Sequence, residues 1–207
     1  MGWLSGWSYR KSHTINGSSA GAQSNYQIKI KAHYGSGSDS GEDVYLNEHC
    51  RTDFGDVRFA SSDGETLLDY WIEEKVDGDY AIFWVEVDSI PASPNTKTIY
   101  IYYGKSDATS ISNGEATFPF FDDFPSLDTN KWSTVTGSPS VSDGILQVPA
   151  TSEIKTVETF SYNTSMKCRA RLASDRMGTG VTDDNVYDGT WANGFLLGTQ
   201  FSQIGGL

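Results

Sequence analysis

The chain has 207 residues, enough for one large β domain or two smaller ones with cores of their own. Its formal net charge of −12 repels phosphate backbones, so nucleic acid is not expected as a partner. Aromatic residues make up 13% of the sequence and 21 residues are glycine, which is typical of short strands joined by many turns. There is no apolar run of about 18 residues, so membrane insertion is not expected.

The clearest predicted strand covers residues 25–34, where apolar side chains occupy every second position. Further strands are predicted over 57–60, 66–75, 80–87 and 96–104. Asp77-Gly78 marks a tight hairpin turn before the strand at 80–87. Both faces of that strand are largely apolar, so it is expected to be central in its sheet and covered on both sides.

The spacing of these strands, with no helical periodicity, predicts an all-β fold, an antiparallel β-sandwich of the jelly-roll kind, over residues 1–104. Residues 105–117 are small and polar, and residues 105–120 are predicted to be a linker. Residues 121–207 contain strand signals but too few of them to close a second sandwich. We expect this second β region to be incomplete, which favours self-association through exposed sheet edges.

Three stretches, residues 53–74, 6–11 and 99–104, resemble the domain of unknown function 2341 family, over residues 3–124 in all. The resemblance implies a β-rich extracellular module of the kind found in large surface and secreted proteins of bacteria and archaea. Residues 118–124, 127–132 and 142–148 resemble the opening of a concanavalin A-like or laminin G-like jelly roll.

Catalytic chemistry has little support in the sequence. The histidines at positions 13, 33 and 49 lie in no recognisable catalytic motif. The carboxylates at 73–74 and 122–123 are adjacent, and neighbouring strand residues point to opposite faces, so neither pair can flank one glycosidic bond. The chain is therefore not expected to be an enzyme, and glycoside hydrolysis is the third of three alternatives.

Calcium is the expected cofactor, if there is one, because two loops concentrate the oxygen ligands that this ion prefers. Neither loop has EF-hand spacing, and the alternative is that their acids form Asx turns and keep the surface soluble. The predicted ligands are Asp39, Glu42 and Asp43 in the first loop, and Asp183, Asp184, Asn185 and Asp188 in the second.

A glycan or surface polysaccharide is the predicted ligand, because sugars stack on tryptophan while acids and amides bind their hydroxyl groups. Trp191 is the best candidate, with Asp188 and Asn193, since glycines keep its loop open. The alternative is that Trp191 packs in a core. The other candidate aromatic residues are Trp3, Trp7, Tyr70, Trp71, Trp84 and Trp132.

Cys50 and Cys168 are far apart in the sequence and allow either a long-range disulfide or two reduced, buried thiols. The leading hypothesis is a non-catalytic binding or adhesion module of a surface-exposed or secreted protein, located outside the cell or on its surface. The alternative is a structural subunit of an extracellular filament, a surface layer or a virion.

Overall fold

The computed structural model describes residues 2–149, 152–160, 166–167, 178–182 and 194–198, the last two ranges as backbone only. The chain divides into two compact units, Met1–Asp122 and Asp123–Leu207. The described part is nearly all β and contains one helix, the four-residue α1, which is too short to span a membrane. The predicted all-β class is therefore confirmed.

The first unit is a sandwich of two four-stranded sheets. Sheet 1 has the order β1-β8-β4-β5 and is antiparallel throughout. Sheet 2 has the order β3-β2-β7-β6, with β3 parallel to β2 and the other pairs antiparallel. The strands are β1 (Tyr9–Asn16), β2 (Gln23–His33), β3 (Asp43–Tyr45), β4 (Arg58–Ala60), β5 (Leu67–Leu68), β6 (Tyr70–Val76), β7 (Tyr80–Ile90) and β8 (Thr96–Tyr103).

The core lies between the two sheets and is built by the alternation of each strand. Alternate residues of β7 from Ala81 to Val87 are buried, and Phe83 packs edge-on against Phe59 and Tyr70 at centroid distances of 5.2 and 5.5 Å. Ile30 and Val85 are fully buried, as expected for core positions, and Ile28 is partly buried against the same cluster. β7 is an interior strand of sheet 2, as its two apolar faces predict.

Asp56 is a fully buried carboxylate that joins three parts of the first unit. Its Oδ1 accepts a hydrogen bond from the Arg51 backbone N–H at 2.9 Å, and its Oδ2 accepts from the N–H groups of Gly104 and Lys105 at 2.6 and 3.1 Å. Its backbone carbonyl accepts from the Trp7 indole N–H at 2.7 Å. One aspartate thus supplies the acceptor for three partly buried backbone N–H groups.

Residues 105–121, here called the strap, run along the edge of sheet 2 and across its outer face. Tyr70 fixes the edge portion: its carbonyl accepts from the Asn113 N–H at 2.8 Å, and its hydroxyl accepts from the Ile111 N–H at 3.2 Å. The Thr117 carbonyl accepts from the Gln27 side chain at 2.7 Å. The segment expected to be a linker is therefore hydrogen-bonded to the first unit. The helix α1 (Gly114–Thr117) lies within it.

The end of the strap places aromatic rings on the outer face of sheet 2. Phe121 lies 4.9 Å from the Trp71 ring centroid, and Phe118 lies 5.9 Å from Trp71 and 6.2 Å from Trp84. Gly114 is needed for this packing, because a Cβ at that position would lie 2.3 Å from the Phe121 ring. The strap therefore packs against the outer face of sheet 2 at Trp71 of β6 and Trp84 of β7.

In the second unit the described strands form three antiparallel pairs. β9 pairs with β12, β10 with β11, and β13 with β14. The strands are β9 (Trp132–Thr136), β10 (Ser140–Ser142), β11 (Ile145–Gln147), β12 (Glu153–Thr156), β13 (Gly178–Thr182) and β14 (Gly194–Gly198).

Candidate binding surface

The outer face of sheet 1 is covered by the segment at residues 2–8. Because strand residues alternate, β8 sends Ile99, Ile101 and Tyr103 into the main core, while Tyr100 and Tyr102 face outward. Leu4 and Trp7 pack on this outward pair, so the outer face carries a second, aromatic cluster.

Arg10 is the centre of that cluster. Its guanidinium carbon lies 4.3 Å from the Tyr100 ring centroid and 4.5 Å from that of Trp3, so the cation is held between two aromatic rings. Its Nη1 donates to the Gly2 carbonyl at 2.7 Å and to the Tyr102 hydroxyl at 3.0 Å. Arg10 thereby fastens the N-terminal segment to sheet 1.

Trp3 is held in one orientation and is also exposed. Its indole N–H donates to the Trp7 carbonyl at 2.8 Å, and its ring meets Tyr102 edge-on at 5.6 Å. Even so, 47% of the residue is accessible to solvent. A tryptophan whose N–H is satisfied and whose ring is immobilised loses little conformational entropy when a ligand stacks on it.

The turn at residues 61–66 contacts Gly2, the residue before Trp3. The Asp63 carboxylate accepts from the backbone N–H groups of Glu65 and Thr66, both at 2.9 Å, and from the Thr66 hydroxyl at 2.6 Å. These hydrogen bonds lower the pKa of Asp63 to about 2. The Asp63 carbonyl accepts from the Gly2 N–H at 2.9 Å. The turn is thus joined directly to the residue before Trp3.

Glu65 is exposed and lies against Gly2, where a Cβ would be only 2.0 Å from the Glu65 carboxyl carbon. Among the residues that the structure describes, its carboxylate has no hydrogen-bond or ion-pair partner. We call Trp3, Arg10, Asp63 and Glu65 the Trp3 surface. It combines a flat, fixed ring with carboxylate acceptors, which is a chemistry suited to a ligand with an apolar face and hydroxyl groups.

A cleft of about 400 Å³ lies at the edge of sheet 2, beside the β-bulge between Ile72 and Glu74. Its charged groups already have partners: Arg51 Nε and Nη2 each lie 2.9 Å from the Asp53 carboxylate, which holds the pKa of Asp53 well below its usual range. A bulge and several charges protect an exposed sheet edge from pairing with another chain. The lining residues are Arg51, Asp53, Gly55, Ile72, Glu73, Glu74, Lys75, Thr109 and Ser110.

In the first predicted calcium loop each acid points to its own basic partner. Asp39 lies 2.8 Å from the Lys11 ammonium, Glu42 2.8 Å from that of Lys29, and Asp43 2.7 Å from His33 Nε2. Within the described residues, no three His, Cys, Asp or Glu side chains gather in a group that could hold a metal. Calcium binding stays a prediction.

If either loop binds calcium, millimolar Ca²⁺ should raise the melting temperature, because an ion that binds only the folded state stabilises it. Excess EGTA should reverse the gain. The variants Asp39→Asn and Asp188→Asn assign it to the first or the second loop. An unchanged melting temperature at millimolar Ca²⁺ would mean that neither loop binds this ion.

The second calcium loop and the predicted glycan site lie outside the described residues, as does Cys168. The residues concerned are Asp183, Asp184, Asn185, Asp188, Trp191 and Asn193. Cys50 is buried with a free thiol, and burial together with the nearby Asp56 charge raises its pKa to about 12.

Three of the other candidate aromatic residues and the histidines make contacts within the first unit. Tyr70 is in the core, and Trp71 and Trp84 lie beneath the strap. His33 stacks on Tyr45 at 4.5 Å and His49 stacks on Tyr9 at 4.3 Å. The pKa of His13 is lowered, and burial of the imidazole is the main cause.

Sequence reasoning missed Arg10 and Glu65. Trp3 is one of several candidate aromatic residues, but its own neighbourhood in the sequence does not show that Arg10, seven positions later, stacks against it. The available signal was the alternation of β1, which places Arg10 on the same face of sheet 1 as Tyr102, its cross-strand neighbour.

The fold and this surface define an all-β sandwich module with a segment packed across the outer face of each sheet. Residues 53–135 match the model of a family described as a domain of unknown function, DUF2341. This match confirms the resemblance to that family over the matched residues, which include β4 to β8 and the strap. No curated protein and no solved structure matches the chain.

Proposed function

We propose that this chain is a non-catalytic binding or adhesion module of a surface-exposed or secreted protein, and that its ligand is a carbohydrate. The observation that carries the proposal is Trp3: an exposed indole whose N–H is already bonded and whose inner face rests on Arg10. A sugar ring can stack its C–H face on such a platform without displacing any contact within the protein.

The carboxylates beside Trp3 supply the second element of sugar recognition. Stacking alone does not fix the orientation of a sugar, whereas hydrogen bonds from its hydroxyl groups do. Glu65 and Asp63 lie on the turn that holds Gly2, so acceptors and ring belong to one connected structure. A single surface of this kind binds weakly and becomes useful when many copies act together on one polysaccharide.

Trp3→Ala is expected to weaken glycan binding about tenfold, whereas Trp3→Phe should keep most of it, because phenylalanine preserves a flat ring. Glycan-array screening of the whole chain identifies the ligands, and titration of the best one measures the loss. Tyr26→Ala is the matched control, since Tyr26 is a 52% exposed aromatic residue elsewhere on the first unit.

Melting temperatures measured on each variant separate lost binding from lost folding. If Trp3→Ala stays folded and binds every glycan as the wild type does, the Trp3 surface is not the site. Trp191→Ala in the same screen tests the predicted second site with Asp188 and Asn193, and loss of binding with that variant alone would move the site there.

A structural subunit is the second candidate, and the described part of the second unit favours it. Apolar side chains are exposed there: Val135, Ile145, Val157 and Met166. We propose that 121–207 is the opening of a concanavalin A-like or laminin G-like jelly roll, a proposal that the paired strands β9 with β12 and β10 with β11 support. Size-exclusion chromatography distinguishes a monomeric binding module from a subunit that assembles.

A further inference from the structure

We infer that the ligand of the Trp3 surface is a neutral, hydroxyl-rich sugar, not an amino sugar or a uronate, and that Glu65 accepts hydrogen bonds from its hydroxyl groups. This inference rests on the proposed function. It follows from the two charges that flank the indole, one behind the ring and one beside it.

The charge behind the ring disfavours cationic ligands. The Arg10 guanidinium carbon lies 4.5 Å from the Trp3 ring centroid and so occupies one face of the indole, while 47% of Trp3 stays accessible to solvent. It attracts the π electrons of the indole, and so the solvent face loses the negative potential that a ligand ammonium would need. The same guanidinium also repels such an ammonium through the ring. The cation–π capacity of Trp3 is therefore already used within the protein.

The charges beside the ring disfavour anionic ligands. Glu65 is an exposed carboxylate with no cationic partner among the described residues, and Asp63 adds a second negative charge on the same turn. The Nη1 of Arg10 already donates to the Gly2 carbonyl and the Tyr102 hydroxyl, so its Nη1–Nη2 edge cannot pair with a ligand carboxylate without losing these hydrogen bonds. A uronate would therefore meet the negative charges of Glu65 and Asp63 on this turn.

A neutral sugar avoids both penalties. Its C–H face stacks on Trp3 by dispersion and apolar burial, neither of which requires a net charge. Its hydroxyl groups donate to the Glu65 carboxylate, which has two oxygens and can accept from neighbouring hydroxyls on one ring. A hydrogen bond to a charged acceptor is stronger than one between neutral groups, so Glu65 determines which sugar face and orientation are preferred.

The test is a glycan array that holds neutral hexose glycans, glycans with free amino groups and uronate glycans, screened with the whole chain. The wild type should bind neutral glycans best. Glu65→Ala should weaken that binding about tenfold, and Glu65→Lys should bring a gain in uronate binding. The matched controls are Glu48→Ala and Glu48→Lys. Glu48 is an exposed glutamate in another loop, and its substitutions change the net charge by the same amounts as those of Glu65.

The outcomes separate this inference from the proposed function. Binding that depends on Trp3 but prefers amino or uronate glycans overturns the inference and leaves the proposed function in place. Neutral-glycan binding that is unchanged in Glu65→Ala also overturns it. Absence of Trp3-dependent binding to all three classes overturns both.

Discussion

Phe83→Ala is expected to lower the free energy of unfolding by about 3–5 kcal/mol, the usual cost of removing a large buried aromatic side chain. Phe83 is fully buried at the centre of β7 and packs edge-on against Phe59 and Tyr70. Its loss removes apolar contacts and leaves a cavity between two sheets that cannot move together without shifting their hydrogen-bonded strands. Urea denaturation followed by circular dichroism measures the change.

Tyr26→Ala is the control for this measurement, because it removes an aromatic ring from the neighbouring strand β2 at an exposed position. Its effect should be within about 0.5 kcal/mol of zero. Equal losses in the two variants would mean that Phe83 does not occupy a close-packed core.

Asp56→Ala is expected to cost about 3–5 kcal/mol, although it removes very little apolar surface. Three backbone N–H groups, those of Arg51, Gly104 and Lys105, lose their shared acceptor, the fully buried Asp56 carboxylate. Asp56→Asn should cost nearly as much, because both carboxylate oxygens accept backbone N–H groups. The asparagine NH₂ would replace one of these acceptors and would face a backbone donor. The same denaturation experiment measures both variants.

Asp107→Ala removes an exposed acid from the strap and serves as the control for lost charge. It should leave stability almost unchanged. A small effect for Asp56→Ala, comparable to that of Asp107→Ala, would contradict the view that Asp56 holds the ends of sheet 1 and the strap together.

The strands with strong alternation could be predicted from the sequence. The predicted strands at 25–34, 80–87 and 96–104 correspond to β2, β7 and β8, because a buried and a wet face leave a period-two pattern that needs no knowledge of partners. β1 was not predicted, since its side chains are mostly polar and its strand conformation comes from pairing with β8 along eight residues. Pairing of that kind is a long-range property.

The strap could not be predicted for a related reason. Residues 105–117 are small and polar, which is the composition of a linker, and their contacts are made largely by backbone N–H and C=O groups with Tyr70, Gln27 and Arg58. Backbone groups carry no sequence signal. Phe118 and Phe121 carry a strong apolar signal, but the sequence cannot show which apolar surface they cover.

The candidate site was predicted only as a kind of chemistry, an exposed tryptophan beside acids. Which tryptophan meets that description depends on residues distant in sequence: Tyr100 and Tyr102 of β8 hold Arg10, and Arg10 supports Trp3. Stacks of this kind bring together residues about 90 positions apart, a separation that no local pattern reports.

The route of the strap also decides where this module can be cut or joined to others. A gene fragment that stopped at residue 104 would encode all eight strands of the first unit but would lack Phe118 and Phe121. Trp71 and Trp84 would then lose these aromatic contacts, and the exposed apolar surface would favour association with other molecules. A boundary at residue 122, where the first compact unit ends, keeps Phe118 and Phe121 with the sandwich, whereas a boundary at the end of β8 separates them from it.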